Sequence, residues 1–189
     1  MSSVPTANEL AGRSKGVLFS AGFGALWFLI ALYARQSLTF VAALPVLLGL
    51  LPLIAAMVLL RRRAADFPSE PRNHELGLAF GHINATEWIA IVAVSFVLSY
   101  LHLDLYIPSA IAVIVGLHMF PLARLFHYSP HYATGSALIL WAAVSLFVVP
   151  PLRLQSVTCF GAGVIQWLSA VLGLVLGFLR AHQGQRALA

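Results

Sequence analysis

From Gly16 to Leu60 the chain carries one ionised side chain, Arg35, and between Asp104 and Arg180 it carries only Arg124 and Arg153. A helix needs about 20 apolar residues to cross a hydrocarbon core of about 30 Å. Six segments meet that need: Val17–Ala34, Thr39–Leu60, Leu76–Leu103, Ile107–Phe126, Tyr132–Val149 and Thr158–Leu179. The expected fold is therefore all-α, a polytopic membrane protein formed as one bundle of six transmembrane helices over residues 1–189. What remains is two tails and five short loops, too little for a separate soluble domain. Composition agrees. The chain is 60% hydrophobic and 9% charged, against about 45–50% and about 25% in soluble domains. Too little polar surface is left to cover a globule in water.

The first run follows Arg13 and Lys15, as a signal peptide would. Its apolar stretch is longer than a signal core and no small-x-small cleavage site follows, so it reads as a retained helix. Lysine and arginine then set the orientation. With six spans, Arg13, Lys15, Arg61, Arg62, Arg63, Arg72, Arg124, Arg180 and Arg186 fall on one side, and Arg35 and Arg153 on the other. That asymmetry predicts both termini in the cytoplasm. The net charge of +5 is thus a matter of membrane anchors, and no nucleic-acid partner is expected. Cys159 is the single cysteine, which excludes intramolecular disulfides and cysteine-rich metal sites. The single lysine, Lys15, lies outside the spans. No G-x-S-x-G turn and no phosphate-binding loop is present. No cofactor and no metal is expected.

The third span carries most of the chemistry. Its uncharged stretch, Trp88–Leu103, holds 16 residues and would reach about 24 Å, short of the hydrocarbon core. Pro108 already opens the next helix, so the third can lengthen only backwards, through Glu87 and Asn84 towards Leu76. That draws a carboxylate into the membrane. At 100° per residue from Asn84, the residues Gly77, Gly81, Glu87, Trp88, Ile91, Ser95, Ser99 and His102 share one stripe. Small and polar residues in lipid face other helices. A competing arrangement starts the helix at Ala85, with Asn84 as N-cap and Glu87 in the first turn.

His118 lies near the middle of the fourth span. Ionisable residues inside a membrane mark functional sites by default. If the third helix is continuous, Glu87 and His118 lie at similar depth and are expected to pair. A carboxylate beside an imidazole in low dielectric handles protons, because the charge of each governs the other. A neutral histidine bonded to a backbone carbonyl is the plainer alternative. Arg124, His127 and His131 cluster between the fourth and fifth spans and suit an anionic headgroup, or serve as ordinary anchors. The i,i+4 spacing of His127 and His131 would suit a metal, but Ser129-Pro130 interrupts the helix such a pair requires. His102 and Asp104 would suit a cation or a simple turn. Gly77-x-x-x-Gly81 and Gly173-x-x-x-Gly177 are candidate packing faces, and a glycine face would also permit a homo-oligomer.

The stretch Gly116-Leu117-His118-Met119-Phe120-Pro121-Leu122-Ala123-Arg124-Leu125-Phe126, followed by Tyr132-Ala133-Thr134-Gly135, resembles a pattern in a group of small, uncharacterised bacterial integral membrane proteins. Their pattern is G-L-H-F-x-P-L-A-x-L-F and then Y-x-T-G, with Met119 here replacing the usual aromatic. The upstream glutamate also matches, and the likeness covers about residues 72–140. It implies a multi-pass protein of the bacterial inner membrane. It carries over no catalytic role, but it draws attention to Glu87, His118, Pro121 and Arg124.

Three functions fit these residues. The first is a small transporter or permease with a proton-linked site at Glu87 and His118, supported by Asn84 and Arg124. The second is a structural or accessory membrane protein whose polar residues lock helices together. The third is a membrane enzyme acting on lipids near Arg124, His127 and His131.

Overall fold

The computed structural model describes residues 4–69, 71 and 73–188. Helices make up 87% of the chain, and no strand is present among the described residues. Six helices are long and apolar enough to cross a membrane: α1 (Ala7–Ala34), α2 (Phe40–Ala64), α3 (His74–Tyr100), α4 (Ile107–Leu125), α5 (Pro130–Val148) and α6 (Pro151–Leu188). A short 3₁₀ turn, Asp104–Tyr106, joins α3 to α4.

The helix starts follow from local chemistry. Thr6, Thr39 and Asn73 each accept a hydrogen bond from the backbone N–H three residues on, satisfying a donor that has no partner within the helix. Proline opens α4, α5 and α6, where a missing N–H costs nothing. The ends are equally local. α1, α3 and α4 close with Gln36, His102 and His127 at φ 54°, 56° and 47°. In each case the next residue's N–H reaches back five residues: Ser37 to Leu32, Leu103 to Leu98, Tyr128 to Ala123. These are Schellman closures, built here without glycine.

The spine of the bundle is α1 against α6. α2 packs on one side of it and the α4–α5 pair on the other. α3 packs along α4 and is the outermost helix, with no fully buried residue. Apolar clusters fill two volumes. Leu10, Val17, Leu53, Met57, Leu60 and Leu174 pack between α1, α2 and α6. Trp27, Ala112, Leu138, Ala142, Cys159 and Ala162 pack between α1, α4, α5 and α6.

Between lipid-facing helices there is no gain from leaving water, so close fit supplies the holding force. Two tryptophans fill notches left by glycines. Trp167 lies over Gly24 and Gly49, and Trp141 lies over Gly161. Both indole N–H groups are satisfied inside the bundle, Trp167 donating to the Ala21 carbonyl at 3.0 Å and Trp141 to that of Thr158 at 3.1 Å. Gly116 and Gly135 bring α4 and α5 into backbone contact, where an added Cβ on Gly116 would come within 2.8 Å of the Gly135 carbonyl.

Three sequence expectations are corrected. α6 starts at Pro151 and runs to Leu188, well beyond Thr158–Leu179, and α1 starts at Ala7 rather than Val17. The extra turns pack on one another: Glu9 of α1 meets Arg180 of α6 at 3.6 Å, and Leu10 and Ala181 are wholly buried. Gly77 and Gly81 face open space, so Gly77-x-x-x-Gly81 is not a packing face, whereas Gly173 meets Val17 and Gly177 meets Leu60. The packed face of α3 is centred near Glu87 instead of Asn84, a rotation of roughly 60° at 100° per residue. It includes Phe80, Ile83, Asn84, Glu87, Ile91, Ser95 and Leu98, and leaves Trp88 and Ser99 exposed. The expected loop residues Glu70 and Arg72 lie outside the described residues.

Candidate functional site

α3 is one continuous helix with Asn73 as its cap. Asn84 is therefore an interior residue, and the alternative start at Ala85 is not the one adopted. Glu87 stands at the middle of α3, and His118 stands just past the middle of α4. The two side chains meet near the mid-length of two helices long and apolar enough to cross a membrane. His118 Nε2 and Glu87 Oε2 are 3.4 Å apart, with the side chains 6% and 13% exposed. That is ion-pair range, longer than an ordinary N–H···O bond. The Ile83 backbone, one turn before Glu87, also interacts with the imidazole. The pair is held from behind by the close α4–α5 contact at Gly116 and Gly135.

Of the other sequence-nominated residues, His131 lies within electrostatic reach of His118, and the rest make no direct contact with the pair. Asn84 shares the packed face of α3 but makes no side-chain hydrogen bond to a described residue. Arg124 is exposed in the last turn of α4, six residues from His118 and so about 9 Å along the axis. Arg124, His127 and His131 go three ways. Arg124 lines a groove between α3 and α4. His127 is exposed and occupies the left-handed cap position. His131 is half-buried, edge-on to Tyr128 with ring centroids 4.8 Å apart. α4 ends at Leu125 and α5 begins at Pro130, so His127 and His131 do not share a helix. No group of three or more His, Cys, Asp or Glu side chains gathers among the described residues. At the turn between α3 and α4, Ser99 donates to the Asp104 carboxylate at 2.6 Å and Gln155 donates to the Asp104 carbonyl at 2.9 Å, while His102 serves as a helix cap.

A second polar assembly escaped the sequence reading. Glu9 accepts from Arg13 at 3.1 Å and also meets Arg180. Arg13 lies over the ring of Tyr128, 5.1 Å from its centroid. Burial holds the Tyr128 phenol above its ordinary range, against the opposing pull of the Arg13 cation. The assembly ties the start of α1 to the end of α6 and to the α4–α5 corner. The i,i+4 spacing of Glu9 and Arg13 was its one sequence signal.

Fold and site together define a multi-pass α-helical membrane protein with a carboxylate–imidazole pair inside its bundle. No protein-family model, no curated protein and no solved structure matches the chain.

Proposed function

We propose that this chain is a small transporter or permease-like protein of the bacterial inner membrane, with both termini cytoplasmic and a proton-linked site at Glu87 and His118. The observation that carries this reading is the pair itself: two titratable groups 3.4 Å apart at mid-length of two spanning helices. Ionisable side chains are expensive at that depth and are kept where they bind or pass charge. One proton shared between them leaves a neutral acid facing a neutral imidazole or a carboxylate facing an imidazolium, and the two arrangements differ in charge on each helix. A bound solute that favours one of them is thereby linked to proton uptake or release. The motif around His118 and Pro121, with its likeness to bacterial inner-membrane proteins, supports the location.

The test uses sealed vesicles holding a trapped pH dye, containing wild-type protein or Glu87→Gln. A pH gradient is imposed, and small organic acids, amino acids and sugars are added in turn. Wild type is expected to acidify the lumen with at least one solute, and Glu87→Gln to behave like empty vesicles. Infrared titration should also show a carboxyl band that comes and goes with pH in wild type and is missing in the variant. Identical behaviour of the two proteins in both measurements would remove the proton role.

The second reading, a structural or accessory protein, draws on the same contact, because α3 packs chiefly on α4 and the pair ties the two. It predicts lower stability for Glu87→Gln and His118→Ala with no solute-dependent proton movement in any variant.

A further inference from the structure

Between α3 and α4, on the Arg124 side of the Glu87–His118 pair, runs an open groove of about 450 Å³. That volume is within the range of small-ligand sites. Its lining is Ile83, Phe120, Pro121, Arg124 and Leu125. Phe80 and Phe126 meet beside it, with ring centroids 5.7 Å apart. Four of the five lining side chains are apolar and the fifth is a cation. Arg124 sits in the last turn of α4. It is exposed and makes no hydrogen bond or ion pair with a described residue.

This layout matches one kind of molecule, an amphiphile with a single negative charge. The guanidinium stands at the end of α4, and the apolar walls of Ile83, Phe120, Pro121 and Leu125 lie beside it. A guanidinium binds a phosphodiester through two parallel N–H···O bonds. The groove is open and lies between two helices read as membrane spans, so a molecule already in the leaflet would enter without crossing water.

We propose that the groove is a site for one anionic phospholipid, its phosphodiester on Arg124 and one acyl chain along Ile83, Phe120, Pro121 and Leu125. The single cation favours a headgroup of one net negative charge. A lipid seated there would also add contact to α3, whose own residues are nowhere fully buried. The proposal does not rest on the proton reading, and the two fail separately.

The test places purified protein in nanodiscs of phosphatidylcholine with or without phosphatidylglycerol and counts the lipids retained by native mass spectrometry. Wild type is expected to keep one phosphatidylglycerol per chain in preference to phosphatidylcholine. Arg124→Ala should lower that retention about tenfold or more, the equivalent of one charge-assisted hydrogen bond. Arg124→Lys should keep part of it. Ile83→Trp, which fills the groove and leaves the cation, should lower retention too, so the proposal stays testable if Arg124→Ala folds poorly. Three results would each overturn the proposal: equal retention of the two lipids, an equal loss in Arg61→Ala, which removes a cation at the same membrane surface, or displacement by dodecanoate at matching concentration, which would assign the groove to free acids.

Discussion

The α1–α6 seam and the α3–α4 seam lie in one small bundle and are held by different forces. Along the first, glycines let two backbones approach and a tryptophan closes the remaining space. Gly24 and Gly163 face one another across it, and Trp167 fills the notch over Gly24. Along the second, glycine contributes nothing, since Gly77 and Gly81 look into open space. What joins α3 to α4 is partly buried side-chain packing, with a carboxylate and an imidazole in contact and a groove beside them. Shape fixes the spine, and the outer helix adds a polar contact between two titratable side chains. In lipid that division matters, because packing is rigid whereas a polar tie changes with protonation. The seam that carries titratable side chains is the one able to respond to a proton.

The largest expected effect tests the rigid half. Gly161→Ala places a methyl group in the Trp141 ring, and Gly24→Ala places one in Trp167. Each should cost about 1–3 kcal/mol, the usual penalty of overpacking, read by unfolding in mixed detergent micelles. Gly81→Ala meets nothing and should be neutral or stabilising by up to about 1 kcal/mol, since alanine is the better helix former. Similar losses at Gly24, on the α1–α6 seam, and at Gly81 would erase the distinction between the seams.

The next effect tests the polar half. Removing either partner of the pair strands the other, so Glu87→Ala and His118→Ala should each cost about 1–2 kcal/mol. The double variant should cost clearly less than the sum, with an interaction of at least about 0.5 kcal/mol. Additive losses would mean that the two side chains do not act on one another.

A smaller effect concerns the ends of the helices. Arg13→Ala removes the cation above Tyr128 and should cost about 0.5–1 kcal/mol. The raised Tyr128 phenol adds a sign that can be checked. Its neutral form is favoured in the folded state, so its share of stability is complete below the ordinary tyrosine range. That share is lost as pH rises through the raised value. Tyr128→Phe should show a flatter alkaline limb in a melting-temperature profile against pH.

The spans were readable because charge is so scarce. Every run between charged clusters became a helix, and of the two starts that Trp88–Leu103 allowed, the extension back through Glu87 is the one α3 adopts. The Glu87–His118 contact followed from that extension, since it set the two residues at one depth. Small residues do not mark the packed face of α3, because a glycine turned outward has no unmet polar side chain and meets no penalty there. The length of α6 was missed because Arg180 looked like a terminus. Its partner, Glu9, lies on another helix, and no local pattern reveals such a pairing. The tryptophan-over-glycine fits were equally hidden, because neither Gly24 nor Gly161 is near its tryptophan's own surface in sequence.

The smallest effect separates cap from ligand at His127. The sequence offered it as a headgroup contact beside Arg124, and the backbone gives it a sufficient reason of its own. It occupies the left-handed position after α4 at φ 47°, with its N–H on the Arg124 carbonyl and the next N–H on that of Ala123. An L-residue with a side chain is strained in that region, and glycine is not. His127→Gly should therefore stabilise the protein by about 0.4–1 kcal/mol. It should also leave phosphatidylglycerol retention as in wild type, because the anion is assigned to Arg124. Gln36→Gly, at the equivalent place after α1 and remote from any headgroup proposal, should gain a similar amount. If His127→Gly instead lost both stability and lipid while Gln36→Gly gained stability, the imidazole would be a ligand in its own right, and the α3–α4 groove would extend past the end of the helix.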